Sequence, residues 1–99
     1  MITVLRTRTI APGKVTDAVA WAHEMAAYFE KKFGCPNRVS MPVGGHPHRI
    51  RWTVEVAGFA ELGEMLKKMQ GDAHYAQMVA QASELFMAGA VDDEIWQAV

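Results

Sequence analysis

Arg49-Ile-Arg-Trp-Thr-Val-Glu-Val56 is the stretch that decides the fold. Ile50, Trp52, Val54 and Val56 alternate with Arg49, Arg51, Thr53 and Glu55, so an extended chain turns four apolar side chains to one face and four polar ones to the other. That is a strand resting on a core. Just upstream, Arg38 to Val43 places Val39, Met41 and Val43 on one face, and Gly44-Gly45-His46-Pro47-His48 interrupts the pattern, which predicts a strand, a loop and a strand. Further back, Ile2 to Ile10 is rich in β-branched residues and ends at Pro12-Gly13, a first strand followed by a turn. Between them, Lys14 to Phe33 contains no Gly or Pro, and Val15, Val19, Ala22, Ala26, Phe29 and Phe33 recur at three- and four-residue steps. This is the stripe of an amphipathic helix, stopped by Gly34.

Downstream of the deciding strand, Phe59 to Met69 carries Leu62, Met65, Leu66 and Met69 at helical spacing. Gly71-Asp72 breaks this helix, and Tyr75, Met78, Val79, Ala82 and Phe86 renew the stripe as far as Gly89, with Asp72 suited to cap the second segment. Val91 to Val99 supplies a short last strand through Ile95, Trp96 and Val99, its first half weakened by Asp92-Asp93-Glu94. The order strand, helix, strand, strand, helix, strand is the split βαβ arrangement, an α+β fold of ferredoxin-like type with a four-stranded antiparallel sheet. Both helices fall on one face of that sheet. The other face is bare and needs cover, which a second copy of the chain can provide.

Composition narrows the function. The 99 residues read as one domain, 51% hydrophobic and 21% charged, globular and with apolar surface to spare for a partner. Ten Lys and Arg against eleven Asp and Glu leave a net charge of -1, so no field draws the chain to nucleic acid or to an acidic membrane. The start of the sequence reads as a strand and not as a signal peptide, and no window is long and apolar enough to span a membrane. Cys35 is the single cysteine, which excludes an internal disulfide and points to a reducing compartment, the cytoplasm.

At the level of pattern the chain resembles the dimeric α/β-barrel superfamily, which includes NIPSNAP-like proteins and antibiotic-biosynthesis-type monooxygenases. The residues that carry the likeness are the opening strand into Pro12-Gly13-Lys14, Trp52-Thr-Val-Glu-Val with Phe59-Ala-Glu-Leu, the break Gly71-Asp72-Ala-His-Tyr75, and the ending from Phe86 to Trp96. The resemblance implies a homodimer whose paired sheets close a barrel. Haem-degrading members carry an Asn on the first strand, and a Trp and a His associated with the second helix. Here the first strand carries Arg6 and Arg8 and Trp52 lies on a strand, so haem degradation is not carried over and no cofactor is expected.

Candidate site residues follow from charge and position. Arg6 and Arg8 share one face of the first strand, and Arg49 and Arg51 share one face of the third, its antiparallel neighbour. A register that sets Arg8 beside Arg51 requires an anion or a carboxylate such as Glu55 between them, and guanidinium groups take planar oxyanions at two points. The competing reading places these arginines at strand ends, paired or solvated. Trp52 is a core residue or a stacking platform for a ligand. His74 and Tyr75 stand at the helix restart, where a His can act as acid or base near neutral pH. His46 and His48 in the loop fall short of a metal ligand set, so no metal is expected. Together these residues suit a protein that binds a small organic molecule, anionic or aromatic, and acts on it as a metal-independent monooxygenase- or isomerase-like enzyme. The alternative is a non-catalytic interaction or sensor domain whose barrel is filled by its own side chains.

Overall fold

The structure is a computed structural model describing residues 1–99. Its elements run β1 (Ile2–Ile10), α1 (Val15–Phe33), β2 (Asn37–Ser40), β3 (Arg49–Val56), α2 (Phe59–Gln70), α3 (Ala73–Gln81) and β4 (Phe86–Gln97). The four strands form one antiparallel sheet in the order β2-β3-β1-β4. This is the ferredoxin-like arrangement expected from the sequence, with the second helix broken in two.

The ladder fixes which side chains share a face. Val4 lies opposite Val54 and Ile95, Arg6 opposite Trp52 and Asp93, and Arg8 opposite Ile50 and Val91. Residues directly opposite one another point the same way. Ile2, Val4, Arg6, Arg8 and Ile10 therefore join Ile50, Trp52, Val54 and Val56 on the helix-covered face. Ile2, Ile10 and Ile50 are almost fully buried there, and each contributes about 2 kcal/mol of hydrophobic stabilisation.

Two core clusters lie between helices and sheet. In one, Ala18, Ala22 and Ala26 of α1 sit against Ile10, Ile50, Trp52 and Phe86, and the small side chains let the helix approach the indole closely. In the other, Phe29 and Phe33 of α1 and Leu62 and Met65 of α2 cover Ile2, Val54 and Val56. Both helices thus press on the same face. Gly34 ends α1 in the left-handed conformation at φ 73, and Asp72 caps α3 by accepting a hydrogen bond from the Tyr75 backbone N–H at 2.8 Å, as its position predicts.

Three boundaries differ from the sequence expectation. β2 stops at Ser40, three residues before Val43. α3 ends at Gln81, well short of Phe86 and Gly89. β4 begins at Phe86 and runs twelve residues through the acidic stretch. Phe86 is buried either way, which is why its helical spacing misleads. Between Phe86 opposite Ile10 and Val91 opposite Arg8, β4 advances five positions while β1 advances two. The irregularity contains Gly89 at φ 76 and hides the alternation that marks a strand.

Candidate functional site

The helix-covered face is not filled throughout. Where the two clusters meet, a cavity of about 320 Å³ opens between the sheet and all three helices. Its floor is Val4, Arg6, Arg8, Trp52 and Val54, with Asn37 at the β2 end and Asp93 and Ile95 of β4 at the other edge. Its roof is Trp21, Met25 and Phe29 from α1, Leu62, Met65, Leu66 and Met69 from α2, and Tyr75 and Val79 from α3. The walls are mostly apolar, with a few polar groups among them, as in sites for small organic ligands.

The aromatic part of the wall is held in place. Trp21 meets Trp52 edge-on at 6.0 Å and Phe86 at 5.6 Å. The Trp52 indole N–H donates to the Ala22 carbonyl at 3.4 Å and that of Trp21 to the Met78 carbonyl at 3.2 Å, so each ring spends its polar atom on a helix and turns its apolar surface inward.

The two arginines of β1 differ sharply. Arg6 donates from Nε and Nη2 to the two Asp93 carboxylate oxygens, both at 2.8 Å, a bidentate pair between neighbouring strands. That hydrogen bonding raises the Arg6 pKa and holds the Asp93 carboxyl below the usual carboxylate range. Arg8 has no carboxylate partner: the ion pairs of the chain are Arg6 with Asp93 and Arg38 with Glu55. Its guanidinium carbon lies 4.6 Å from the centre of the Phe86 ring, and its Nε is buried without a hydrogen bond. Burial, and after it the neighbouring Arg6 charge, pulls its pKa down, yet a guanidinium stays protonated at any physiological pH. Burial raises the pKa of Tyr75, opposed by Arg6. At neutral pH the cavity therefore holds one neutralised ion pair, one uncompensated cation and a neutral phenol.

Sequence reasoning groups Arg6, Arg8, Arg51, Trp52, Glu55, Tyr75 and His74 around one site. The structure divides them among three places. Arg6, Arg8, Trp52 and Tyr75 line the cavity. Arg51 and Glu55 point to the opposite, uncovered face, because Arg51 pairs with Thr7 and Glu55 with Thr3, residues of the other parity on β1. Arg51 donates from Nε to Thr7 Oγ1 at 2.9 Å, and Glu55 accepts from Arg38 at 3.3 Å. Arg8 and Arg51 are thus near in the ladder and on opposite sides of the sheet, so no shared anion and no bridging Glu55 is needed. His74 is exposed and packs on Tyr28, ring centres 4.7 Å apart, beside an open depression with Lys32 and Lys68. It lies outside the cavity.

Trp21, Asp93 and Asn37 are cavity residues that the sequence reading does not single out. Trp21 had a signal, since Trp21, Met25 and Phe29 repeat every fourth residue along the edge of the helix stripe. Asp93 had a weaker one: it shares strand parity with Ile95, so it interrupts an apolar face. Asn37 had none.

No protein-family model and no curated protein sequence matches the chain. Solved structures do. A NIPSNAP domain protein from Burkholderia xenovorans superimposes with a TM-score of 0.84 at 10% identity, over 100% of this chain and 95% of that one. A NIPSNAP family protein from Agrobacterium tumefaciens gives 0.81 at 15% identity, covering 99% and 92%. A protein from Deinococcus radiodurans described as a candidate antibiotic biosynthesis monooxygenase gives 0.75 at 13% identity, covering 100% and 93%. The chain shares the ferredoxin-like fold of these proteins.

Proposed function

With the NIPSNAP-like fold as premise, we propose that this protein binds a small, largely apolar organic molecule bearing one oxyanion in the cavity between helices and sheet. The observation that carries this reading is Arg8, a permanent cation at the wall of an apolar cavity with no counter-charge of its own. Arg8 is partly buried, with its guanidinium over the Phe86 ring and no carboxylate beside it, so a bound anion supplies the counter-charge it lacks. A carboxylate or phenolate placed there gains a charge-assisted hydrogen bond of about 1.5–3 kcal/mol. Trp21, Trp52 and the methionines of α2 offer flat and adaptable surface for the remainder of the molecule. A protein whose interior is packed by its own side chains has no use for about 320 Å³ of open volume beside a lone arginine.

Calorimetric titration with 2-naphthoate and its neutral analogue 2-naphthamide tests the proposal. The carboxylate binds at least about tenfold more tightly, matching one charge-assisted hydrogen bond, and Arg8→Met removes the difference while leaving the amide unaffected. Equal affinities in the unmodified protein would sink it.

The uncovered face supports a second copy of this chain as its partner. In the row of Thr7 it carries Arg51 on β3 and Asp92 on β4, and in the row of Leu5 it carries Arg38 on β2 and Glu94 on β4. The β2–β3 flank, with Arg38, Arg49 and Arg51 against the single Glu55, is net basic, and the β4 flank, with Asp92 and Glu94, is acidic. Two such faces stacked about a two-fold axis parallel to the strands set each basic flank over the partner's acidic one, whereas an axis across the strands opposes like charges.

A further inference from the structure

On the uncovered face, Arg49 and Arg51 have no carboxylate of their own. They stand two residues apart on β3 and so point to the same side of the sheet. Glu55 is taken by Arg38. Asp92, the acid in the row of Arg51, lies beyond Thr7 on β4 and forms no ion pair. Two cations placed in this way repel each other unless an anion lies between them.

Both guanidinium groups are held from one side. Arg51 donates from Nε to Thr7 Oγ1 at 2.9 Å and makes no other side-chain hydrogen bond, so its terminal nitrogens are left over. Arg49 reaches the His46 carbonyl through Nε in a long hydrogen bond of 3.5 Å. A Cβ at Gly45 would stand 3.3 Å from Arg49 Nη2, so the glycine makes room for the guanidinium against the β2–β3 loop. The two arginines line one pocket of about 300 Å³, with Thr7, Ser40, Met41 and Pro42 among its other walls. It shares no residue with the cavity beneath the helices.

We infer that this pocket binds a small organic phosphate. Two guanidinium groups present two positive charges and forked donors, and a phosphate monoester, close to doubly charged at neutral pH, answers them better than a single carboxylate does. Ser40 lies opposite Arg51 on β2, and its hydroxyl is a further donor for a phosphate oxygen. Met41 and Pro42 leave apolar surface for the organic part. Where two copies stack on this face, the pocket opens between the sheets, and the competing source of counter-charge is Asp92 or Glu94 of the second copy.

Calorimetric titration with phenyl phosphate at constant ionic strength tests the inference. The unmodified protein binds it saturably, and Arg49→Gln and Arg51→Gln each weaken binding by about tenfold or more, the loss of a charge-assisted hydrogen bond. Arg8→Met leaves the affinity unchanged, which separates this pocket from the cavity and lets either proposal fail alone. Absence of saturable binding overturns the inference, as does an affinity that falls in Arg8→Met and holds in the other two variants. Binding that appears only when Asp92→Asn and Glu94→Gln are combined overturns it too, because carboxylates of a second copy then fill the pocket. Arg49 and Arg51 are both partly exposed, and either variant alone decides the matter where the other does not fold.

Discussion

Arg6 and Arg8 stand two residues apart on one strand and on one face, yet one is neutralised and the other is not. Asp93 is the cause: it lies opposite Arg6 and takes both of its hydrogen bonds, and nothing acidic lies opposite Arg8. Because the folded state depresses the Asp93 pKa, the pair contributes stability above the unfolded carboxyl value of about 4, and that contribution is lost as pH falls through the folded value. Both side chains are about half exposed, 47% and 48%, so solvent screening limits the pair to at most about 1 kcal/mol. Asp93→Asn should therefore unfold more easily at pH 7 and at the same denaturant concentration as the unmodified protein near pH 2, which urea titration at the two pH values checks. The same substitution leaves Arg6 uncompensated beside the cavity and should tighten 2-naphthoate binding; weakened binding would count against an anionic ligand.

At the scale of elements, the second helix and the last strand show what periodicity can and cannot decide. The break at Gly71-Asp72 is legible, because a glycine followed by a capping residue has one common meaning, and Asp72 does cap α3. The junction at Phe86 is not. A residue four positions after Ala82 suits a helical stripe, and the strand that follows opens with an irregular stretch that obscures its alternation. Gly89 marks that stretch. At φ 76, with nothing within 4 Å of where a Cβ would stand, substitution there costs backbone strain alone. Gly89→Ala should lower unfolding free energy by about 1 kcal/mol, whereas Gly44→Ala, in the β2–β3 loop with open space around it and no positive φ, should change it little. Thermal melts of the two variants side by side make the comparison, and equal effects would mean that position 89 is not strained.

For the whole molecule the uncovered face dominates. It is more polar than the bare sheet expected from composition, since Thr3, Thr7, Thr9, Ser40 and Thr53 share it with the charged flanks, while Trp96 stands 59% exposed at one end. A dimer built on such a face leans on charge complementarity as well as on apolar burial. Arg51→Glu should shift sedimentation velocity towards the protomer at micromolar concentration, and adding Asp92→Arg should restore the dimer. High salt should weaken the unmodified dimer. A protomer that sediments alone in low salt before any substitution would end this account of the face.

From sequence alone came the element order, the sheet and the identity of its buried face, because strand and helix periods are local properties of the side-chain pattern. Arg6, Arg8, Trp52 and Tyr75 were legible as candidates for the same reason, being conspicuous by charge, ring or position. What the tertiary structure decided was company. Only the ladder register separates Arg8 from Arg51, gives Arg6 to Asp93 across 87 positions of chain, and brings Trp21 and Asn37 to the same cavity. Register is set by cooperative pairing between distant segments, and a one-residue slip would send every side chain to the other face.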